Sequence, residues 1–358
     1  MAKFCPLKVK DIKRETADAV SVAFDVPITL QTAFQFKQGQ YITLKLNIAG
    51  EELRRSYSIC TSPYSEKELR VAIKEVKDGR ASTFINRTLK VGDTIEVMTP
   101  MGNFHSVLSG NNKKHYVLFA GGSGITPMMS ILKSVLHIEK QSTVTLFYAN
   151  RNEDSVIFNS ELQKIASDNS SRFNIVNIYD APKNDTPDLL KGLVSVDKAK
   201  DILKQNNASS ADEYFICGPG PLMENIKTAL ESMNVGKEKI HIEYFTAVAE
   251  AVAQAEGKGV AKGGNVKAQV TVIQYGIETN FELKTDDSSI LDAAIEAGVD
   301  APFSCKGAVC CTCRAKIIEG EVKMDANFAL TDSEVAEGFI LTCQSHPITE
   351  KVIIDYDA

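Results

Sequence analysis

Four cysteines constrain this chain more tightly than any other feature. Cys305-x4-Cys310-x2-Cys313 is followed by 29 residues and then by Cys343. If the four thiolates meet, one short loop wraps a centre and a distant element closes it. Gly307 and Ala308 keep that loop slim, so backbone N–H groups can approach the sulfur atoms. Three chemistries compete. A 2Fe-2S cluster takes four thiolates at this spacing. Zinc in a tetrahedral S4 site more often uses two C-x2–4-C pairs. Buried cysteines without a metal are the third. Cys311 breaks no spacing and is read as a small packed residue or a competing ligand.

The rest of the chain changes rhythm twice. Residues 1–108 alternate in short runs (20–24, 41–46, 69–73, 94–97) separated by Gly39, Gly50, Gly79 and Gly92, which predicts an antiparallel β-barrel. Residues 113–246 alternate apolar strands with helical patterns, predicting an α/β domain with a parallel sheet. Residues 247–264 are Ala- and Gly-rich and read as a linker. Residues 265–358 form the cysteine module. It carries 7 Lys+Arg against 16 Asp+Glu, a net −9, on a body with 33 against 30, a net +3. Opposite charges favour docking of one on the other.

With 358 residues, two or three domains are expected. A net charge of −6 argues against a nucleic-acid partner. No apolar run approaches the ~18 residues of a membrane span. The opening Met1–Pro6 has no apolar h-region, so neither a secretory signal nor a membrane partner is expected, and the cytoplasm is.

Two further patterns point to cofactors. Arg55-Ser56-Tyr57-Ser58 offers a cation for phosphates, a ring to cover a flavin face and a donor near N5, with Arg55 and Tyr57 on one side of a strand. An Arg and a Tyr on a barrel strand are also ordinary surface packing. Gly79-Arg80-Ala81-Ser82 opens a helix, where N–H groups, a hydroxyl and the helix dipole make a phosphate cradle. Gly121-Gly122-Ser123-Gly124-Ile125-Thr126-Pro127 is a strand, glycine turn and helix that presents N–H groups to a pyrophosphate. Cys217-Gly218-Pro219 ends another strand, where open parallel sheets bind ligands. Asn150-Arg151 ends a third. Arg151 there can pair with a 2′-phosphate, favouring NADPH over NADH.

Taken together, these motifs resemble the ferredoxin–NADP reductase superfamily, joined to a C-terminal plant-type ferredoxin domain of β-grasp fold (Ser289–Ala294 before the loop, Leu341–Gln344 at its end). The resemblance implies FAD contacts from Arg55, Tyr57, Ser58, Lys74, Gly79, Ala81 and Ser82. It implies nicotinamide contacts from Gly122, Gly124, Thr126, Asn150, Arg151, Cys217, Gly218 and Pro219. It places Cys217 beside the nicotinamide, Phe245 over the second flavin face, and Glu243 as an orienting group. It assigns Cys305, Cys310, Cys313 and Cys343 to a 2Fe-2S cluster.

The order flavin, nicotinamide, ferredoxin is that of reductase components of multicomponent oxygenases. One branch resembles phthalate dioxygenase reductase and uses FMN. The stretches Glu51–Cys60 and Cys305–Arg314, with the opening Phe4–Val9, are closer to the family of phenylacetyl-CoA epoxidase reductases. The resemblance implies electrons passing from NADPH, or NADH, through FAD and the cluster to a di-iron oxygenase component. Ser58, Cys217 and Glu243 would act at the hydride step. Two rivals stand beside it: the same design serving another hydroxylase, dioxygenase or desaturase, and a non-enzymatic module holding zinc and a structural nucleotide.

Overall fold

The computed structural model describes residues 3–245 and 266–358. The expected linker, 247–264, lies outside the described residues. Strands fall where the alternating runs predicted them.

In the N-terminal part, β1 (Phe4–Thr16), β2 (Ala19–Asp25), β3 (Tyr41–Ile48), β4 (Glu51–Ser58), β5 (Leu69–Lys74) and β6 (Thr94–Met98) form one antiparallel sheet, ordered β4-β3-β6-β1-β2-β5. An Ile59–Val71 bridge joins its two edges and closes the barrel. Inward residues such as Leu7, Val22, Ile42, Leu44, Val71 and Val97 fill it. The β3–β4 turn is the pair Ala49–Gly50, both at positive φ (54° and 82°). Such two-residue turns match the twist of the flanking strands and lock their register. That register sets Tyr41 opposite Ser58. Helix α1 (Arg80–Arg87) follows β5.

The middle part is a five-stranded parallel sheet ordered β11-β10-β7-β8-β9, from β7 (His115–Gly121), β8 (Thr143–Asn150), β9 (Phe173–Tyr179), β10 (Glu213–Cys217) and β11 (Ile240–Glu243). Helix α2 (Ile125–Ile138) packs one face through Met128, Met129, Ile131 and Leu132, all buried. Helices α4 (Val196–Gln205) and α5 (Gly220–Ser232) cover the other; α3 (Asn159–Asp168) precedes β9. The strand order reverses between β7 and β10, and the crevice at such a reversal is where ligands of open α/β sheets bind.

The C-terminal part is a mixed sheet ordered β13-β12-β18-β14-β16, built from β12 (Lys267–Gln274), β13 (Ile277–Lys284), β14 (Arg314–Glu319), β16 (Phe339–Leu341) and β18 (Lys351–Asp355), with the small pair β15 (Val322–Met324) and β17 (Ser345–Pro347). Helix α6 (Ile290–Glu296) is capped by Ser289, whose hydroxyl accepts from the Asp292 N–H at 3.2 Å, and it buries Ile290, Leu291, Ala293 and Ala294 against the sheet. A short helix, α7 (Asp332–Ala336), precedes β16. No helix among the described residues is long and apolar enough to cross a membrane.

Candidate active site and thiol centre

A cleft of about 800 Å³ opens between the β4 edge of the barrel and the reversal point of the parallel sheet. Arg55, Tyr57 and Ser58 line it from β4, Lys74 from β5, and Gly79, Ala81 and Ser82 from the start of α1. Across it stand Gly122, Thr126, Gly218, Pro219 and Phe245. Burial pushes the Tyr57 phenol up to about 12, against a partial pull down from Arg55, so the ring stays uncharged. The Ser82 hydroxyl donates to the Gly79 carbonyl (3.0 Å) and accepts from the Val76 N–H (3.2 Å). It therefore holds the turn, and the anion cradle falls to the first-turn N–H groups of Arg80, Ala81 and Ser82, which lack intrahelical acceptors as at any helix start. The Thr126 hydroxyl is likewise committed, donating to the Ser123 carbonyl at 3.0 Å.

Gly124 lines no part of the cleft. A Cβ there would sit 2.2 Å from the Cys217 carbonyl oxygen, so this glycine lets the turn before α2 touch the end of β10. Gly122 does need its freedom: its φ is +51°. Cys217, just before the lining residues Gly218 and Pro219, is fully buried and is not among the residues lining the cleft. Burial, and then the Glu243 carboxyl, hold its thiol well above its usual range. Parallel register aligns Cys217 with Glu243, and Ser58 donates to Glu243 Oε2 at 3.0 Å. Burial pushes the Glu243 carboxyl up to about 8, with the Ser58 hydrogen bond pulling partly back.

At the end of β8, Asn150 is 6% exposed, and neither of its amide heteroatoms has a partner in the structure. Arg151 beside it is exposed. Buried amides are ordinarily satisfied, and the Asn150 amide finds no well-formed partner among the described residues.

The four thiols meet in pairs. Antiparallel pairing of Arg314 with Leu341 brings the preceding Cys313 beside the turn that holds Cys343. Thr342 clamps that turn, donating to the Cys313 carbonyl through N–H (3.2 Å) and hydroxyl (3.0 Å). Cys343 is the nearest influence on the Cys313 thiol, holding it well above its usual range, and Cys310 Sγ lies 3.1 Å from Cys305 Sγ. Among the described residues, no three His, Cys, Asp or Glu close on a single ion. Two pairs suit a centre of two irons with two thiolates each better than one tetrahedral zinc.

The loop supports that fit. Lys306 and Ala308 take positive φ (51° and 63°), which turns N–H groups inward as in an anion nest. Donation from Cys310, joined by the N–H groups of Gly307, Val309 and Cys310, brings the Cys305 thiol down to about 6. Cys311 points elsewhere: its thiol donates to the Ala329 carbonyl at 3.1 Å, and burial pushes it up to about 12.

The thiol loop faces the flavin strand. A second cavity of about 350 Å³ is bounded by Arg55, Ser58 and Glu243 on one side and by Cys305, Val309 and Cys310 on the other. Several residues that hold the two parts together escaped sequence reasoning. Arg54, 6% exposed, donates to Asp300 Oδ1 (3.0 Å) and the Ala301 carbonyl (3.2 Å) and lies over the Phe303 ring. Ser56 donates to Ser304 at 2.9 Å. Tyr41 reaches Cys311 and Thr312. Only the β3–β4 register was available as a signal, and it places Tyr41 but not its partners.

A cleft able to take a flavin and a nicotinamide, separated from paired thiols by one small cavity, is laid out for moving electrons between the three. Family models agree part by part: an oxidoreductase FAD-binding domain over residues 6–106, an oxidoreductase NAD-binding domain over 118–228, and a 2Fe-2S iron-sulfur cluster binding domain over 272–347. The chain is an NAD(P)H-dependent oxidoreductase that uses FAD and a 2Fe-2S cluster.

It is 38% identical over 100% of its length, and 99% of the relative's, to one of the subunits of the 1,2-phenylacetyl-CoA epoxidase of Escherichia coli K12. It is 30% identical to the ferredoxin reductase component of 3-ketosteroid-9-alpha-monooxygenase of Rhodococcus rhodochrous, over 98% of this chain and 96% of that one. A glycine betaine monooxygenase reductase subunit of Pseudomonas aeruginosa is also 30% identical, over 96% and 93%. The chain belongs to this family of oxygenase reductase components. Phthalate dioxygenase reductase shares the fold over 98% of both chains, at a TM-score of 0.58 and 23% identity. So does part of a self-sufficient cytochrome P450 monooxygenase (TM-score 0.67, 21% identity, 98% of this chain and 41% of that one).

Proposed function

We propose that Arg55, Tyr57, Ser58, Lys74, Gly79, Ala81 and Ser82 hold FAD, that Gly122, Thr126, Asn150, Arg151, Gly218 and Pro219 receive NADPH, and that Cys305, Cys310, Cys313 and Cys343 bind the cluster. When bound, these groups supply hydride acceptance and one-electron carriage. The observation that carries the reading is the small cavity shared by the flavin strand and the thiol loop. Tyr57 covers one flavin face, Arg55 neutralises phosphate charge, and Phe245 shields the second face. Ser58 and Glu243 hold a proton at the junction, Glu243 keeping its own at neutral pH because burial raises it. Gly124 and Cys217 shape the floor by close packing. Boundaries at 1–108, 113–246 and 265–358 are the division this reading uses.

The acceptor we infer is the oxygenase component of a phenylacetyl-CoA epoxidase, on the higher identity to a component of that epoxidase than to the ketosteroid and glycine betaine reductases. No disulfide joins any of the eight cysteines, in keeping with a reducing compartment, the cytoplasm.

Anaerobic spectra of the purified protein before and after stoichiometric NADPH test the core of this. Flavin and iron–sulfur absorbance should both be present and both bleach. The bleached protein should then support epoxidation of phenylacetyl-CoA by the purified oxygenase component. A colourless protein containing zinc would sink the electron route; bleaching without supported epoxidation would sink the acceptor alone.

Arg151 is the exposed cation next to the orphaned Asn150. Arg151→Ala should raise the KM for NADPH about tenfold or more, the weight of a charged hydrogen-bonded pair, and leave that for NADH nearly unchanged. Equal effects in steady-state kinetics would remove Arg151 from the 2′-phosphate site.

A further inference from the structure

One side chain crosses from the flavin barrel into the thiol loop itself. Tyr41 opens β3 and stands opposite Ser58 in the hairpin register. Its side chain is buried at 6% exposure although it leaves the barrel. The hydroxyl accepts from the Cys311 N–H at 2.9 Å and shares a hydrogen bond with the Thr312 hydroxyl at 3.4 Å. Both partners lie between Cys310 and Cys313, in the tightest part of the loop. The ring is backed by Gly102, whose φ is +115° and where a Cβ would come within 3.0 Å of two ring carbons. Paired hydrogen bonds between Tyr41 and Met101, each 2.9 Å, hold that backing in place. Tyr41 also lines the small cavity with Ser58, Cys305 and Cys310.

Other contacts across this junction act elsewhere. Arg54 grips Asp300 and Ala301, before the loop. Asn103 donates to Glu334 at 2.8 Å on the exposed rim. Ser56 reaches Ser304, one residue short of the first thiol. Tyr41 alone among these reaches between two thiols of the loop.

We propose that Tyr41 is a positioning residue for the internal electron transfer: its hydroxyl sets the thiol loop against the flavin strand and thereby sets the rate at which the cluster, but not the flavin, is reduced. The step moves one electron from reduced flavin to the oxidised cluster, NADPH having supplied the pair, and Tyr41 is neither oxidised nor reduced. This rests on the assignment of the flavin and cluster residues above.

The test uses the full-length holoprotein and Tyr41→Phe, which keeps the ring and removes the hydroxyl. In anaerobic stopped-flow with NADPH, flavin bleaching should stay within about twofold of wild type. Cluster bleaching should slow about five- to tenfold, the weight of a buried N–H left without its acceptor. Hydrogen–deuterium exchange around Cys311 in the unreacted holoprotein should rise. If Y41F does not retain its cofactors, Thr312→Val carries the test, with a smaller slowing confined to the cluster phase. Wild-type cluster bleaching in the variant overturns the proposal, as does equal slowing of both phases. A wild-type protein in which NADPH bleaches neither chromophore overturns the electron route on which it rests.

Discussion

Cys343→Ser is expected to yield a flavoprotein without its cluster: iron and acid-labile sulfide fall to near zero, and iron–sulfur absorbance disappears. Flavin content and NADPH-driven ferricyanide reduction persist, while transfer to the oxygenase component stops. The reason lies in how the fourth thiol is delivered. Cys343 sits in a one-turn helix, Thr342–Gln344, directly after β16. Thr342 bonds the Cys313 carbonyl twice, and Tyr356, just past the last strand, donates to the Thr342 hydroxyl at 2.8 Å. The thiol is therefore held at one place, 8% exposed, in reach of Cys313. Serine keeps the shape but offers a hydroxyl that does not ionise as a thiol does. Cys311 cannot substitute without leaving its bond to Ala329 and its packed site. Cluster binding is linked to folding of the module around it, so the variant should also melt earlier in that part. Full iron content in the variant, measured together with its visible spectrum, would exclude Cys343 as a ligand.

Glu243→Gln is expected to remove a pH dependence. Burial raises the Glu243 carboxyl from 4.5 to about 8. Between those values the folded protein binds a proton that the unfolded chain has released. Stability is therefore complete at low pH and falls as pH rises through that window. Glutamine carries no such proton. The melting temperature of E243Q should exceed that of wild type by several degrees at about pH 9 and match it at about pH 5, a difference on the order of 2 kcal/mol. The rate of flavin reduction by NADPH should lose its break near the Glu243 value and fall about tenfold or more, as expected when a placed proton-holding group is removed. Ser58 would then bond an amide oxygen in place of the carboxyl. Parallel melting curves across pH would mean that Glu243 is charged in the folded protein, and the proton-holding role would be lost.

Much of this was legible because it depends on neighbours in sequence. The Cys305–Cys313 loop, the glycine turn before Ile125–Ile138, the helix start at Gly79 and the alternating runs of the barrel are all built from contacts a few residues long. Local sterics decide them: a glycine at positive φ, a cap, an apolar stripe. The family pattern added the cofactors, which the reading proposed above places on those same short stretches. Less legible was how committed the local hydroxyls are. Ser82 and Thr126 spend their hydrogen bonds on their own turns. Gly124 leaves room for the backbone of Cys217.

By themselves, then, the local patterns specified an antiparallel barrel, a parallel α/β sheet and a cysteine module, and the cofactors of such a family, since each follows from spacing along a short segment. Tertiary structure alone decided that Glu243 meets Ser58 across 185 positions, that Tyr41 meets Cys311 across 270, and that a buried Arg54 grips the module at Asp300. Strand order and the packing of one unit on another make those meetings. No periodicity or motif encodes them, because each is a contact between surfaces of different sheets far apart in sequence.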